Sequence, residues 1–366
     1  GTSMKIKLLG LEDLRKYLIS LFKSDVEIIN VGRLGEKPSK EELKGFGYGV
    51  PYLIEFKVRG DIKKVVLETM RPEGFGHEHF SDRAKILLWQ HSSFNKLPNH
   101  VKSVDVGSFT VKGEIKSLGD CREFFILTDL IEGTLYHRDL DEIYEGGELS
   151  ETDLERCVTL SNYLASIHSK KGPPELYRRR IRELIGHGEC IMGIIDSYPQ
   201  DVDFITQEEL ISIEKLCIEW RWKLKKMTHR CTEVHGDFHP WNILFRRGVD
   251  FTVLDRSRGE YGEPADDVTA MTINHIFYSL RKSGRLEGAF KELFNLFWSN
   301  YLEKTGDTEM LNVAQPFYAW RALVLASPIW YPTLQPEVRG KLINFTKNIL
   351  ETETIDLKKI NTYIEP

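Results

Sequence analysis

The sequence predicts an α+β fold in two lobes, with a β-rich N-terminal lobe that contains one main helix and a larger, helical C-terminal lobe. Short apolar runs of β type prevail up to residue 131, and apolar residues at helical spacing prevail after it. The length of 366 residues exceeds that of one average domain and allows two. We therefore predict an N-terminal lobe over residues 1–131 and a C-terminal lobe over residues 132–366.

The composition excludes some classes of partner. A formal net charge of −5 provides neither the basic surface that binds nucleic acid nor a polybasic membrane patch. No apolar run approaches the length of a membrane span, and no signal-peptide pattern opens the chain. The five cysteines are scattered and lack a C-x-x-C spacing, so neither a zinc site nor a disulfide framework is indicated. We expect a reduced, cytoplasmic protein.

The N-terminal lobe is predicted to begin with a helix and three strands. Apolar residues at helical spacing predict a helix over Leu8–Phe22. Runs rich in β-branched residues predict strands over Val26–Leu34, Tyr52–Val58 and Lys63–Met70. A glycine-rich stretch separates the first two strands, and a short turn separates the second from the third.

The rest of this lobe is predicted to contain its main helix and two more strands. The helix is expected over Gly76–Gln90, and the strands over Val101–Val111 and Cys121–Leu127. The segment Leu127–Gly133 has the pattern of a buried strand that ends in an acid and a glycine. We interpret it as the exit from the N-terminal lobe, although an ordinary strand end has the same pattern.

Helical patterns fill most of the C-terminal lobe. Helices are expected over Asp153–His168, Glu175–Ser197 and Gln207–Thr228. The charged side chains of the second and third of these helices are expected on solvated faces. These residues are Arg178, Arg179, Arg180, Lys223, Lys225 and Lys226. Four later helices are expected over Thr269–Leu280, Leu286–Thr305, Asn312–Ala326 and Glu337–Glu351.

A hairpin pattern stands between these two helical regions. The apolar runs Ile243–Phe245 and Phe251–Leu254 flank a turn at Arg246–Gly248, which predicts two antiparallel strands. Pro240 prevents the loop before the first strand from continuing as a helix.

Oxygen-bearing side chains surround this hairpin. Asp237 and Asn242 lie in the loop that enters it, and Asp255 directly follows its second strand. Carboxylate and amide oxygens are the ligands that Mg²⁺ prefers, and a remaining carboxylate can orient a hydroxyl group. Phosphoryl transfer requires this combination of groups. The alternative is a solvated turn whose acids come together by coincidence.

The stretch His235-Gly236-Asp237, followed by Asn242, a hydrophobic strand and Asp255, resembles the catalytic segment of the aminoglycoside phosphotransferase family. That family also includes choline and homoserine kinases and is a relative of the protein kinases. Its loop has the form H-G-D-x-x-x-x-N, and the chain matches it at each of these positions. The resemblance implies a bilobal protein kinase-like fold and an ATP- and Mg²⁺-dependent phosphotransferase with a small-molecule hydroxyl acceptor.

The resemblance also implies roles for individual residues. Asp237 would orient the acceptor hydroxyl, and His235 would position the loop by hydrogen bonds. Asn242 and Asp255 would hold the metal ion. The segment 262–268 resembles the family's G-x-P-x-x-D element, in which Asp267 would anchor the catalytic loop without touching substrate.

The nucleotide, ATP or GTP, is expected to contact the N-terminal lobe. Gly45, Gly47 and Gly49 would let backbone N–H groups approach the phosphates, although a flexible hairpin loop also favours glycine. By the resemblance, the backbone near Asp129 and Ile131 would bind the adenine edge.

One residue departs from the family pattern. Glu68 follows the apolar run 65–67, where kinases have a phosphate-binding lysine, and a carboxylate there would repel phosphate. Lys57 on the neighbouring strand could supply the missing charge. Alternatively, the metal neutralises the phosphates while Glu68 pairs with Arg83 or Arg71, or the protein is a catalytically weak pseudokinase.

The acceptor side remains open from the sequence. Arg256 and Arg258, after the second acid, could contact phosphate or lie exposed. A break is expected at Pro328, and the aromatic residues around it could line an acceptor pocket or pack in the core; the residues at this break are Trp320, Arg321, Trp330, Tyr331 and Pro332. The many acidic residues of the C-terminal lobe favour a cationic acceptor.

Overall fold

The structure is a computed structural model that describes residues 10–35 and 49–366. It confirms the predicted mixture of helices and strands. The contacts within the chain define two compact units, Gly1–Thr128 and Asp129–Pro366.

The first unit contains a helix packed on an antiparallel sheet. Helix α1 spans Leu11–Phe22, and the sheet consists of β1 (Val26–Arg33), β2 (Tyr52–Val58) and β3 (Asp61–Leu67) in that order. Alternate residues of β2 are buried against α1, as the period of two along a strand requires. These four elements were predicted, with ends that differ by a few residues.

The remainder of this unit departs from the prediction. Helix α2 (Phe80–Phe94) forms, with a capping box between His79 and Asp82. Of the strand predicted over residues 101–111, only β4 (Gly107–Phe109) forms, paired with β5 (Ile115–Ser117). The predicted strand over Cys121–Leu127 is wrong: among the described residues no strand pairs with it, so it has no ladder of hydrogen bonds.

The second unit is mainly helical. Its helices are α3 (His137–Gly146), α4 (Glu151–Ile167), α5 (Pro174–Gly186), α6 (Ile191–Ser197), α7 (Gln207–Leu224), α8 (Pro264–Ser283), α9 (Gly288–Thr305), α10 (Gln315–Leu325), α11 (Pro336–Leu350) and α12 (Ile360–Tyr363). Its strands are β6 (Thr134–Leu135), β7 (Thr232–Glu233), β8 (Ile243–Phe245), β9 (Phe251–Val253) and β10 (Tyr261–Gly262). No helix of the part of the chain that the structure describes is long and apolar enough to cross a membrane.

Two helical predictions need correction. The helix predicted over residues 175–197 is broken between α5 and α6, where the backbones of Gly188 and Gly193 approach closely; a Cβ on Gly193 would lie 1.7 Å from the Gly188 oxygen. Arg180, expected on a solvated face, is 4% exposed and pairs with Asp266. A buried guanidinium requires such a carboxylate partner.

Helix α8 is the central element of the second unit. Its residues from Pro264 to Leu280 are all buried, and α9 and α10 pack against it. The Glu263 carboxylate caps its first turn by accepting from the Ala265 N–H at 2.7 Å, and Gly284 ends it in a left-handed conformation. A helix buried on all sides gives rigid support to the residues of its first turn.

His275 of α8 provides a test of this packing. It is fully buried, neither ring nitrogen has a hydrogen-bond partner among the described residues, and burial lowers its pKa from 6.5 to about 3. Because the pKa is lowered in the folded protein, the contribution of the neutral His275 ring to stability is complete above pH 6.5 and is lost as the pH falls toward 3.

We expect His275→Leu to stabilise the protein, with a gain in the free energy of unfolding about 2 kcal/mol larger at pH 5 than at pH 7.5. Urea unfolding of both proteins at the two pH values measures it, and a gain independent of pH would contradict it.

Candidate active site

The predicted hairpin forms and brings two of the site residues side by side. Strand β8 pairs antiparallel with β9, with Ile243 opposite Val253, and β6 pairs with the other edge of β8. Beyond the last pair, the N–H of Leu254 donates to the carbonyl of Asn242 at 2.8 Å. Asp255 therefore follows directly beside Asn242, in a left-handed conformation with φ 56°, which Asp tolerates better than most residues.

His235 ties the loop to the end of β9. Its Nδ1 accepts from the backbone N–H of Asp237 at 3.1 Å, so its Nε2 carries the proton and donates to the Leu254 carbonyl at 2.7 Å. The ring is buried and packs edge-on against Phe238. His235 thus sets the path of the chain at Asp237, and its role in positioning a catalytic loop stays a prediction.

Asp267, in the first turn of α8, binds the backbone of the same loop. Its carboxylate accepts from the backbone N–H groups of His235 at 2.9 Å and Gly236 at 2.7 Å. It also bonds Nε2 of His168 at 2.8 Å, and the other ring nitrogen of His168 bonds the Tyr301 hydroxyl. Burial opposes ionisation, but the hydrogen bond and charge of His168 and the two N–H groups outweigh it and lower the pKa of Asp267. The predicted anchoring role of Asp267 is confirmed.

Asp237 lies at the centre of a set of cationic and polar groups. Its Oδ1 is 2.5 Å from Nη1 of Arg321 and 3.5 Å from Nη1 of Arg258. Its Oδ2 accepts from Nδ2 of Asn242 at 3.3 Å and is 3.4 Å from Nε2 of His239. Burial would raise its pKa, but the charge of Arg321, the hydrogen bond from His239 and the charge of Arg258 lower it well below the usual range. The Asp237 carboxylate is therefore ionised.

Asn242 presents an oxygen with no donor. Its Nδ2 donates to the Asp237 carbonyl at 2.9 Å, which fixes the carboxamide plane. Its Oδ1 accepts no hydrogen bond from the residues described, although the residue is buried. Asp255 is exposed and forms no ion pair with them. Within residues 10–35 and 49–366, no three His, Cys, Asp or Glu side chains form a metal site by themselves.

The arginines around Asp237 were not assigned from the sequence. Arg321 of α10 bonds Asp237, the Gly236 carbonyl and Asp266. Arg258, left open from the sequence, also faces Asp237. A signal existed for Arg321: it is the one charged residue in the apolar stretch of α10, and a buried charge implies an ionic partner.

The glycine-rich stretch and the sheet carry the predicted nucleotide contacts. Gly45 and Gly47 lie outside the described residues. Gly49 has φ 79°, its N–H donates to the Thr69 hydroxyl at 3.0 Å, and a Cβ on it would lie 2.4 Å from Cγ of Arg71. Only glycine fits here without movement of the Arg71 side chain.

Glu68 is exposed one residue after β3 and forms no hydrogen bond or ion pair with the described residues. The predicted pairing with Arg71 or Arg83 is therefore wrong; Arg83 is buried and donates instead to the His77 carbonyl. Lys57 of β2 lies opposite Ile62 of β3. Because Ile62 is six residues before Glu68, Lys57 and Glu68 are about 20 Å apart along the sheet. Compensation by Lys57 would have to act over that distance.

The segment predicted to bind adenine has no regular secondary structure. Asp129 and Ile131 are exposed, and their backbone groups make no backbone hydrogen bonds within the described part of the chain. These N–H and C=O groups are thus free to pair with a ligand, and a contact to adenine stays a prediction.

No protein-family model matches the chain, and no curated protein matches it. Among solved structures, it is similar to an amicoumacin kinase in complex with AMP-PNP, Ca²⁺ and Ami, with 14% identity over 90% of this chain and 92% of that one and a TM-score of 0.41. It is also similar to a spectinomycin phosphotransferase in complex with ADP and spectinomycin (10% identity, 96% and 93% covered, TM-score 0.32). A third similar structure is the choline kinase LicA from Streptococcus pneumoniae, with 12% identity over 93% of this chain and 98% of that one and a TM-score of 0.35. With TM-scores below 0.5, the function has to be inferred from the site.

The anchoring role of Asp267 predicts a large effect of Asp267→Asn. The amide cannot accept from both backbone N–H groups and His168, so buried donors lose their acceptor; we expect a loss of about 3–5 kcal/mol in the free energy of unfolding. Chemical denaturation measures it. Asp250→Asn is the matched control, because Asp250 pairs only with Arg246 on the surface of the hairpin. Equal effects of the two substitutions would contradict the anchoring role.

Proposed function

We propose that this protein is a phosphotransferase that moves the γ-phosphate of ATP to a hydroxyl group of a small molecule and requires Mg²⁺. The observation that carries the proposal is the arrangement of Asp237, an ionised carboxylate, beside Asn242 and Asp255 in the loop and hairpin of an H-G-D-x-x-x-x-N motif. These groups agree with the roles that the resemblance to the aminoglycoside phosphotransferase family implies. A GTP donor is compatible with the same groups.

The residues fit a magnesium ion bound chiefly through nucleotide. Asn242 offers an oxygen with no donor, and Asp255 offers a carboxylate with no ion pair among the described residues. Mg²⁺ on ATP-utilising enzymes commonly takes one or two protein oxygens, with phosphate and water completing its shell. Two protein ligands are therefore sufficient, and the bound ion would neutralise charge on the phosphates.

Asp237 would act on the acceptor hydroxyl. The hydroxyl donates to the carboxylate, its oxygen forms the new bond to γ-phosphorus as the bond from γ-phosphorus to the bridging oxygen breaks, and ADP leaves. The hydroxyl proton passes to Asp237 and then to solvent. A carboxylate with a lowered pKa is a weak base, which suits a loose transition state in which the proton leaves late. Orientation of the hydroxyl is then the main contribution of Asp237.

His235 and Asp267 would act through Asp237. Both bind the backbone of the loop and neither faces the acceptor in this scheme. On the nucleotide side, Gly45, Gly47 and Gly49 would cover the phosphates, and the backbone at Asp129 and Ile131 would bind the adenine. The proposed setting is the cytoplasm, where ATP is available.

A second candidate is a catalytically weak pseudokinase or nucleotide-binding scaffold. The observation that favours it is Glu68, which stands exposed and unpaired among the described residues where a phosphate-binding lysine is usual. Lys57 is too far along β2 to stand beside it. The intact acids at 237 and 255 favour the enzyme over the scaffold.

The proposed role of Asp237 is tested by Asp237→Asn, which keeps the size of the side chain but removes the charge, so that either Arg321 or Asn242 loses its acceptor. We expect kcat to fall about 10²–10⁴-fold, because the hydroxyl loses its acceptor, while the affinity for ATP–Mg²⁺ changes little. ATP consumption is first screened across hydroxyl-bearing metabolites and antibiotics, and the variant is measured with the best acceptor. Full activity of Asp237→Asn would exclude the proposed mechanism.

Nucleotide binding separates the kinase from a scaffold that binds no nucleotide, whereas a nucleotide-binding scaffold differs from the kinase in consuming no ATP with any acceptor. A ligand that binds only the folded protein raises its melting temperature, so we expect millimolar ATP with Mg²⁺ to raise Tm if the protein is a kinase. Asp255→Asn should weaken this shift, whereas exposed Asp250→Asn should leave it unchanged. If ATP with Mg²⁺ does not change the Tm of the unsubstituted protein, a scaffold that binds no nucleotide is favoured.

A further inference from the structure

We propose that the acceptor carries an anionic group, a carboxylate or a phosphate ester, and that Arg258 binds this group beside Asp237 with the help of Arg321 and Trp320. This inference rests on the proposed phosphotransferase function and specifies the substrate class of the same site. It departs from the cationic acceptor that the acidic residues of the sequence favour.

The charges around Asp237 leave a positive excess. Arg180, Arg258 and Arg321 face only two carboxylates, those of buried Asp266 and of Asp237, whose side chain is 18% exposed. The one other carboxylate within 4.0 Å of these guanidinium groups, in the described part of the chain, is Glu189, whose side chain is 67% exposed and therefore screened by water. A buried cluster with unbalanced positive charge is stabilised by an anionic ligand.

The same cluster contains donors that lack acceptors. Among the described residues, Nε of Arg258, Nε of Arg321 and Nε1 of Trp320 are buried without a hydrogen-bond partner. The side chains of Arg321 and Trp320 are more than nine-tenths buried. Unpaired buried donors are rare in folded proteins and point to a missing acceptor. An anion supplies acceptor oxygens, whereas an ammonium group would add more donors.

Trp320 organises the arginines. The guanidinium carbon of Arg321 lies 4.0 Å from the centre of its ring, and that of Arg258 lies 4.8 Å away. Stacking on an indole fixes the plane of a guanidinium group and leaves its N–H edge available. For Trp320 and Arg321 the sequence left two alternatives, a pocket wall or core packing. Both apply, because Trp320 is buried in the core and holds arginines that face the Asp237 carboxylate.

Arg258 is the most exposed arginine of the cluster. Its contact with Asp237 is 3.5 Å, which is longer than the 2.5 Å contact of Arg321, and its side chain is 16% exposed. Arg321 is committed to Asp237 and Asp266, and Arg180 to Asp266. A planar guanidinium edge binds carboxylate or phosphate oxygens in pairs. An anion on Arg258 would place a hydroxyl on an adjacent carbon close to the Asp237 carboxylate.

The test compares small probes that share a hydroxyl group and differ in charge. Binding of glycerate, glycerol 3-phosphate, glycerol and choline is measured by calorimetry, with and without saturating AMP-PNP and Mg²⁺. Glycerate and glycerol 3-phosphate distinguish a carboxylate from a phosphate ester. The variants are Arg258→Gln, Arg258→Lys and, as matched control, Arg247→Gln, because the Arg247 side chain is exposed in the hairpin turn without described partners. Melting temperatures without probe show that each variant folds.

We expect at least one anionic probe to bind and neither glycerol nor choline to match it. Arg258→Gln should weaken that binding about tenfold or more, Arg258→Lys less, and Arg247→Gln not at all. The inference is overturned if choline or glycerol binds as well as the anions, if neither anion binds at about 50 mM, or if Arg258→Gln binds unchanged. Anion binding that depends on Arg258, in a protein that binds no nucleotide, would keep this site and reject the phosphotransferase.

Discussion

The site depends on two adjacent carboxylates in the first turn of α8. Asp267 holds the loop through the N–H groups of His235 and Gly236, and Asp266 holds Arg321, which in turn contacts Asp237. Both carboxylates are almost fully buried in a helix that is itself enclosed on all sides. Core packing therefore fixes the positions of both carboxylates, and the loop is held in place because it is bonded to them.

This anchoring determines the electrostatics of Asp237. Because Arg321 reaches it from α10 and Arg258 from the segment after β9, the carboxylate is surrounded by charge from distant parts of the chain. The result is an ionised group of low basicity, which in the proposed mechanism would orient a hydroxyl rather than withdraw a proton strongly. The same arginines make the surroundings of Asp237 unfavourable for a cation and favourable for an anion.

Predictions from the sequence succeeded where the pattern was local. The hairpin of β8 and β9 was predicted because apolar strands on both sides of a glycine turn have few alternatives. Prediction failed for the strand over residues 121–127, since a strand requires a partner that is not encoded in its own residues. Arg180 was placed on a surface because a run of three arginines usually lies there, whereas packing buries it on Asp266.

The loop, the hairpin and the acids at 237, 255 and 267 could be predicted from the residues alone, because motif spacing and turn chemistry act between near neighbours. The charges that meet Asp237 could not be predicted in this way. The contact between Arg321 and Asp237 joins residues 84 positions apart, and neither residue carries a local sign of the other. Long-range ion pairs follow from how helices pack, and that packing is a property of the whole second unit.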